Sequence, residues 1–244
     1  IEKAYKKAAG NEPVLLAFTS DIIRNKLAKE GKPVLSVNAA MNELAAQGVT
    51  DLKIHSRTSP PPTEYNQLER MVVKNITKNP GFKTVKVGYP LLVSEKDLDA
   101  VVKVVLASLP KDRKPGELVL MGHGNDRGPG DLTLAATAAA FHKADPHVWL
   151  ATVEGSNSFD NVLPKLKASG AKRVWLQPFM IVAGDHANND LAGPEEDSWA
   201  SRIKAAGMTP MPNLKGLGQQ GIQDIFLSHT QNAVVDLANT KKAD

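Results

Sequence analysis

The stretch LVLMGHG, residues 118–124, decides the fold, because a nearly continuous apolar run ends there in a histidine between two glycines. Such runs are typical of parallel strands that helices cover on both faces. The stretches VLLAFT (14–19) and VWLATV (148–153) have the same character. We therefore predict strands at 14–19, 118–122 and 148–153. Further strands are predicted at 52–56, 84–89, 173–177 and, from a weaker pattern, 208–214.

Amphipathic stretches alternate with these strands. Ser36 and Ser94 are suitable N-cap residues for two of them, and Gly31 and Gly48 are suitable helix stops. The alternation of strand and helix indicates an α/β protein with a doubly wound parallel sheet. The predicted helices are residues 21–30, 37–47, 94–109 and 222–237.

Two similar halves are indicated by the charged segment KDRKPGE (111–117), the best linker in the chain, whose charged turn is bracketed by Pro110 and Pro115. A helix end, a glycine stop and a strand recur at the same spacing in both halves, at Leu44, Gly48 and Leu52 and at Leu166, Gly170 and Val174. We predict an N-terminal α/β half at 1–114, a C-terminal α/β half at 115–220, and a C-terminal helix and tail at 221–244 that pack back on the N-terminal half.

The repeat also predicts a missing element. Counting back from Val14 by the spacing that separates His123 from Val148 leads upstream of Ile1. We therefore expect the chain to begin inside a helix, and the first half to lack its opening strand.

Composition narrows the chemistry. The chain has no cysteine, which excludes disulfides, thiolate metal ligands and a cysteine nucleophile, and leaves His, Asp and Glu as the strong ligands. The formal net charge of +4 fits either a solvated basic surface or a basic cleft that attracts a polycarboxylate ligand. No basic stripe is interleaved with aromatic residues, so we expect no nucleic-acid partner.

The sequence also bears on location. No apolar run is long enough to span a bilayer, and the first residues, IEKAYKKAAG, lack the apolar core of a signal peptide. We expect a cytoplasmic protein without a transmembrane segment, or a periplasmic one if a signal peptide precedes Ile1.

Three residues follow successive predicted strands, where open α/β sheets bind their ligands: His123, Glu154 and His186. Glu154 ends a mostly apolar run, so we expect its carboxylate to be poorly solvated and to need a partner. Asp185 or Asp190 could orient the ring of His186. Two imidazoles and one carboxylate suit a first-row divalent ion with open coordination positions, so we predict a metal site here.

The remaining histidines are weaker candidates. His142 and His147 flank a helix-to-strand loop and are interpreted as surface residues, although with Asp145 they could bind adventitious metal. His229 falls in the last predicted helix and is interpreted as structural, and the side-chain direction of His55 stays open. Dinucleotide, phosphate-loop and nucleophile-elbow motifs are absent from the sequence.

Several longer stretches resemble the class II chelatases, and among them the anaerobic-type sirohydrochlorin cobaltochelatases of cobalamin biosynthesis. The most specific are LVLMGHG, TVEGSNSFDNVLPKL, QPFMIVAGDHANNDLAG with the EEDSW that follows, and the late LKGLG. AFTSDIIRNKL and VGYPLL in the first half are similar to the same family, so the resemblance covers almost the whole chain. Two features differ from the family: we expect its first strand and loop to be missing from the start of the first half, and SRTSPPPTEY replaces a stretch that usually contains a histidine.

The resemblance implies two flavodoxin-like halves that enclose a cleft, and a cobaltochelatase that inserts Co²⁺ into sirohydrochlorin or a related polycarboxylated tetrapyrrole. His123, Glu154 and His186 match the family's metal site, with His123 and Glu154 in catalytic roles. We expect Leu91 and Leu92 to touch the ring face. A non-catalytic metal-, haem- or tetrapyrrole-binding relative is the alternative.

Partners and cofactors follow from the same resemblance. The divalent metal is a substrate, with Ni²⁺ or Fe²⁺ as alternatives to Co²⁺, and we expect no organic cofactor. Haem is a further candidate ligand, and a homo-oligomer is a candidate assembly.

Overall fold

The computed structural model describes residues 2–56, 62–110, 113, 116–124, 129–181 and 184–240. Most of the predicted linker at 111–117 and the altered loop at 57–61 lie outside these residues. The helices are α1 Glu2–Ala9, α2 Asp21–Lys29, α3 Val37–Ala46, α4 Pro62–Ile76, α5 Glu95–Ala107, α6 Pro129–Ala144, α7 Phe159–Ala168, the short α8 Gly184–His186, α9 Trp199–Ala205 and α10 Gln220–Gln231. The strands are β1 Ala17–Phe18, β2 Leu35–Ser36, β3 Asp51–His55, β4 Thr84–Gly88, β5 Glu117–Gly124, β6 Val148–Glu154, β7 Arg173–Pro178 and β8 Thr209–Pro212.

Two compact units make up the described chain. The first contains residues 2–56, 63–90 and 223–240, and the second contains most of 91–222. The structural boundary therefore falls after Pro90, whereas the sequence analysis placed it at 114/115. The difference arises from α5, whose buried side chains include Val101 and Val105 and which packs against α6 of the second unit.

The first unit contains two pairs of parallel strands, β1 with β2 and β3 with β4. β1 is only 2 residues long, although a strand was predicted over 14–19. The register aligns Ala17 with Leu35, so an extension of the pairing toward the start of both strands would place Leu15 opposite Pro33. Proline has no N–H to donate, and the pairing therefore stops early. Helices α3 and α4 supply much of the core; its buried members are Val37, Met41, Leu44, Leu52, Tyr65, Leu68, Val72, Phe82, Val85 and Val87.

The last described segment also packs on the first unit. α10 ends at Gln231 rather than at the predicted 237, because the residues after it pair with β4 instead. The Leu237 N–H donates to the Val85 carbonyl at 2.8 Å. Gly88 lies so close to α10 that an added Cβ would meet the Thr230 Cα at 2.9 Å, so only glycine fits this approach.

The second unit is built on one parallel four-stranded sheet in the order β6-β5-β7-β8. β5 is an inner strand, and His123 is its single exposed residue, whereas the other seven are buried. β8 contains two prolines and lies at the sheet edge, where missing N–H donors are tolerated. The core packs on one face of the sheet; its buried members include Val119, Met121, Ala151, Phe159, Val162, Leu166, Val174, Leu176, Leu191, Trp199 and Ile203.

Both units thus have parallel sheets flanked by helices, which confirms the predicted α/β class. Across the described residues, no helix has the length and apolarity needed to cross a membrane.

Candidate metal centre

The carboxyl ends of β5 and β6 meet at a very close approach. Gly124 pairs with Glu154, and its φ is +88°. A Cβ at this position would lie 1.8 Å from the Glu154 carbonyl oxygen. Glycine is therefore required for the two strand ends to come together here, directly beside His123.

His186 reaches the same region from the segment after β7. It ends the short α8 and is followed by a π-helical turn, Ala187–Leu191. This turn includes Asp190, whose Oδ2 lies 2.6 Å from the His186 Nδ1. Single π-helical turns are frequent at functional sites, and Asp190 is the partner that the sequence analysis left open between Asp185 and Asp190.

The two imidazoles lie against each other. The ring centroids of His123 and His186 are 4.8 Å apart, and the rings are nearly perpendicular at 87°. With metal–nitrogen bonds of about 2.1 Å, two imidazoles that bind one ion at roughly a right angle have centroids about 4.6 Å apart. The observed separation is therefore compatible with a shared ion.

Both rings have the tautomer that a metal ligand needs. The His123 Nδ1 lies 3.1 Å from the Gly124 carbonyl oxygen, and the His186 Nδ1 faces the Asp190 carboxylate. Each partner can only accept, so each Nδ1 carries a proton, and in the neutral form of each ring Nε2 keeps its lone pair. Within the described part of the chain, neither Nε2 makes a hydrogen bond.

Glu154 differs from its prediction. It is exposed at the last position of β6, so its carboxylate is solvated and does not need the buried partner that the apolar run suggested. In the described residues, no three His, Asp or Glu side chains are arranged to hold one ion. The structure thus brings His123 and His186 together, and leaves Glu154 near them but outside a preformed ligand set.

The late LKGLG motif holds the segment that leads to His186. The Leu217 N–H donates to the Met180 carbonyl at 2.8 Å, and Leu217 is fully buried. An added Cβ at Gly216 would meet the Met180 carbonyl oxygen at 2.6 Å. In the sequence this motif is recognisable only by its resemblance to the family, whereas in the structure it packs against the segment before His186.

Leu91 and Leu92, predicted to touch the ring face of a tetrapyrrole, are both buried, with 0% and 9% of their surface exposed. Neither side chain offers a surface to a ligand in this structure. A pair of leucines after a strand is equally suited to core packing, and packing is what is observed here. Their neighbours Tyr89 and Val93 are the exposed residues of this stretch.

The other histidines make contacts away from the site. The His142 ring packs at a tilt of 36° against Trp149, with centroids 4.2 Å apart, and the His147 Nδ1 pairs with the buried Glu117 at 2.9 Å. His229 pairs through its Nδ1 with the Tyr89 carbonyl, and His55 stacks on Tyr5. These contacts agree with structural roles for the four side chains.

The fold is that of an α/β protein in which two histidines meet at the carboxyl ends of parallel strands, where open sheets of this kind usually bind their ligands. The profile of the cobalt chelatase (CbiK) family matches residues 1–235. The chain therefore belongs to the cobalt chelatase family, which confirms the predicted resemblance and makes the protein a metal chelatase with a metal ion as substrate.

Two relatives agree with this assignment. Sirohydrochlorin cobaltochelatase CbiKC from Nitratidesulfovibrio vulgaris is 39% identical over 224 residues, which cover 91% of this chain and 79% of that protein. Sirohydrochlorin cobaltochelatase from Salmonella typhimurium is 34% identical over 223 residues, which cover 89% of this chain and 82% of that protein.

Solved structures show the same fold. SirB from Bacillus subtilis with Fe³⁺ has a TM-score of 0.55 at 13% identity, over 88% of this chain and 91% of that one. The sirohydrochlorin chelatase SirB from Bacillus subtilis subspecies spizizenii in complex with cobalt has a TM-score of 0.53 at 14% identity, over 95% of this chain and 89% of that one.

Proposed function

We propose that this protein inserts Co²⁺ into sirohydrochlorin, and that His123 and His186 bind the incoming ion through their Nε2 atoms. The observation that carries the proposal is the contact between the two imidazoles, 4.8 Å apart and both with Nδ1 engaged. The names of the two relatives support the metal and the tetrapyrrole.

Two neutral imidazoles suit this task. The ion must lose water before it can enter the macrocycle, and nitrogen ligands of borderline softness replace that water on Co²⁺ or Ni²⁺. A site of only two protein ligands leaves further coordination positions for the pyrrole nitrogens. Transfer requires that the protein release the ion again, and a set without thiolate ligands favours that release.

Glu154 is proposed as the acceptor of the pyrrole protons, with a third-ligand role as the alternative. Its carboxylate is exposed at the end of β6, and its Cα pairs in register with Gly124, next to His123. An exposed carboxylate can exchange the accepted proton with water. The lack of a three-ligand cluster among the described side chains favours the proton-acceptor role.

The metal site is tested by calorimetry of Co²⁺ binding. His123→Ala and His186→Ala should each weaken binding by at least about tenfold, because each removes one ligand. His142→Ala is the matched control: His142 belongs to the same unit but contacts Val148 at the opposite end of the sheet. If the double variant His123→Ala/His186→Ala binds Co²⁺ as tightly as the parent, the site is misassigned.

The reaction is tested by anaerobic incubation of the protein with sirohydrochlorin and Co²⁺. Insertion changes the visible spectrum to that of the cobalt complex, at a rate above the reaction without protein. Binding of the tetrapyrrole without this change would instead identify a carrier. Parallel incubations with Ni²⁺ and Fe²⁺ establish the preferred metal.

A further inference from the structure

A carboxylate on α6 holds the loop that follows Glu154. The Asp131 Oδ1 accepts the Ser156 N–H at 3.0 Å, and the Asp131 Oδ2 accepts the Ser156 hydroxyl at 2.7 Å. These two bonds, the hydroxyl bond first, lower the pKa of Asp131 below its usual value. Asp131 is therefore ionised at neutral pH, and both of its oxygens are directed at one residue.

The position of this contact links two parts of the site. Asp131 lies in the first turn of α6, the helix that follows β5 and His123. Ser156 lies two residues after Glu154, and Gly155 between them has a φ of +97°. Glu154 is paired with Gly124 on the strand side, but glycine is conformationally free, so the direction in which the chain leaves Glu154 depends on what holds Ser156.

Other bonds attach the same loop to its own strand and helix. The Thr152 N–H donates to the Asn157 carbonyl, and the Asn157 side chain donates to the Leu150 carbonyl. The Asn161 side chain donates to the Ser156 carbonyl. Among the hydrogen bonds of the described residues, only those to Asp131 join Ser156 to the segment that follows His123.

We infer that Asp131 is a positioning residue for Glu154: through Ser156 it sets the direction of the Glu154 carboxylate relative to His123. The inference rests on the proposed role of Glu154 in the reaction. A purely structural reading is that Asp131 stabilises the start of α6 as an acidic residue in its first turn. The two readings differ in what they predict for catalysis.

The test measures kcat for cobalt insertion and the Kd for Co²⁺ in Asp131→Ala and Ser156→Ala. Asp131→Ala should lower kcat by about 10- to 100-fold, since small displacements of a reacting group have effects of this size. Ser156→Ala keeps the backbone bond and should lower kcat less. The Kd for Co²⁺ should stay within about twofold, because the histidines are untouched. A weakened Kd with an unchanged kcat would overturn the inference.

A double-variant comparison separates positioning from fold stability. In a Glu154→Gln background, Asp131→Ala should lower kcat no further, because there is no longer a carboxylate to position. An equal loss of kcat in both backgrounds would refute the inference. If Glu154→Gln lowers kcat but Asp131→Ala does not, the positioning role of Asp131 is refuted and the proposed role of Glu154 stands. If Glu154→Gln has no effect on kcat, the proposed role of Glu154 itself is refuted.

Asp160→Asn is the matched control. Asp160 is likewise an acidic residue in a first helical turn, that of α7, but its bonding partner is Arg202 on α9. This variant removes the same kind of helix charge without touching the contact between Asp131 and Ser156. Its kcat should equal that of the parent, and a loss as large as that of Asp131→Ala would favour the structural reading.

Discussion

At the scale of single residues, the site depends on how each imidazole is oriented. His123 is held by the backbone of its own strand end, and His186 by the carboxylate of Asp190 across the π-helical turn. The contact between His186 and Asp190 can be removed by mutation, because the group that orients the ring is a side chain. Carboxylates that accept from a ligating imidazole fix its tautomer and raise its basicity.

We therefore expect Asp190→Ala to weaken Co²⁺ binding by about 10- to 100-fold, the usual cost of losing the hydrogen-bond partner of a ligating histidine. Titration calorimetry measures the change. Glu196→Gln serves as the control, because Glu196 is exposed on the segment that follows the π-helical turn. Unchanged affinity in Asp190→Ala would show that Asp190 does not support a metal ligand.

Sequence patterns identified residues at strand ends better than the contacts among them. His123, Glu154 and His186 were placed by their strands, because a buried parallel strand predicts where its carboxyl end lies. Which of the three meet could not be predicted, because this depends on side-chain directions after the strands. Asp131 was missed for a related reason: its partner lies 25 residues away, and no local motif relates the two.

At the scale of secondary-structure elements, the close approach of β5 and β6 defines the edge of the sheet where the site lies. Gly124→Ala should lower the free energy of unfolding by about 2 kcal/mol or more, because it adds a clash to a strained φ. It should also weaken Co²⁺ binding by displacing His123. Urea denaturation and calorimetry measure the two effects.

Gly170→Ala is the control for this prediction. Gly170 also has a positive φ, +71°, but no heavy atom lies within 4 Å of an added Cβ. The loss of stability in Gly170→Ala therefore measures the cost of a positive φ alone, without a steric clash. Equal destabilisation in the two variants would mean that the approach to Glu154 imposes no constraint of its own.

Most strands were predictable because each is an apolar run that stands out from the amphipathic or polar stretches on either side of it. β3 to β8 all lie at or within about two residues of their predictions, as expected for boundaries read from patterns alone. The failures have specific causes. β1 is short because its partner strand begins near Pro33, and α10 is short because the residues after Gln231 pair with β4.

At the scale of the whole molecule, the first unit is held together by residues far apart in the sequence. Asp236 accepts hydrogen bonds from the backbone of Val85 on β4, from the Asn239 side chain and from the backbone of Ala238. Partial burial opposes ionisation of this carboxyl, but the three hydrogen bonds and the nearby charge of Lys86 outweigh it, so the pKa of Asp236 lies below its usual 3.8.

Asp236→Ala should therefore lower the free energy of unfolding by about 1–2 kcal/mol at pH 7, the range for a partly exposed, hydrogen-bonded carboxylate. Since the folded pKa is the lower one, this stabilisation is complete above about pH 4 and is lost as the pH falls through the folded value. Urea denaturation from pH 7 to pH 3 should show the difference between parent and variant shrinking at the acid end. Glu43→Ala, at an exposed position on α3, is the control, and a difference that does not depend on pH would contradict this account.

The division into units was the hardest feature to predict. A charged segment with prolines looks like a boundary, but α5 belongs to the second unit, where it packs against α6. A helix between two sheets can pack on the sheet before it or on the sheet after it, and its amphipathic pattern does not show which.

The contact between Tyr5 and Thr230 joins residues separated by 225 positions. It has a consequence for biosynthesis. During translation, residues 91–222 are complete before α10 has left the ribosome, so the second unit can fold while the first still lacks its last piece. This is the opposite of the usual order, in which the N-terminal part of a nascent chain can fold first. Until α10 has been synthesised, the strands of the first unit lack the helix that packs against Gly88.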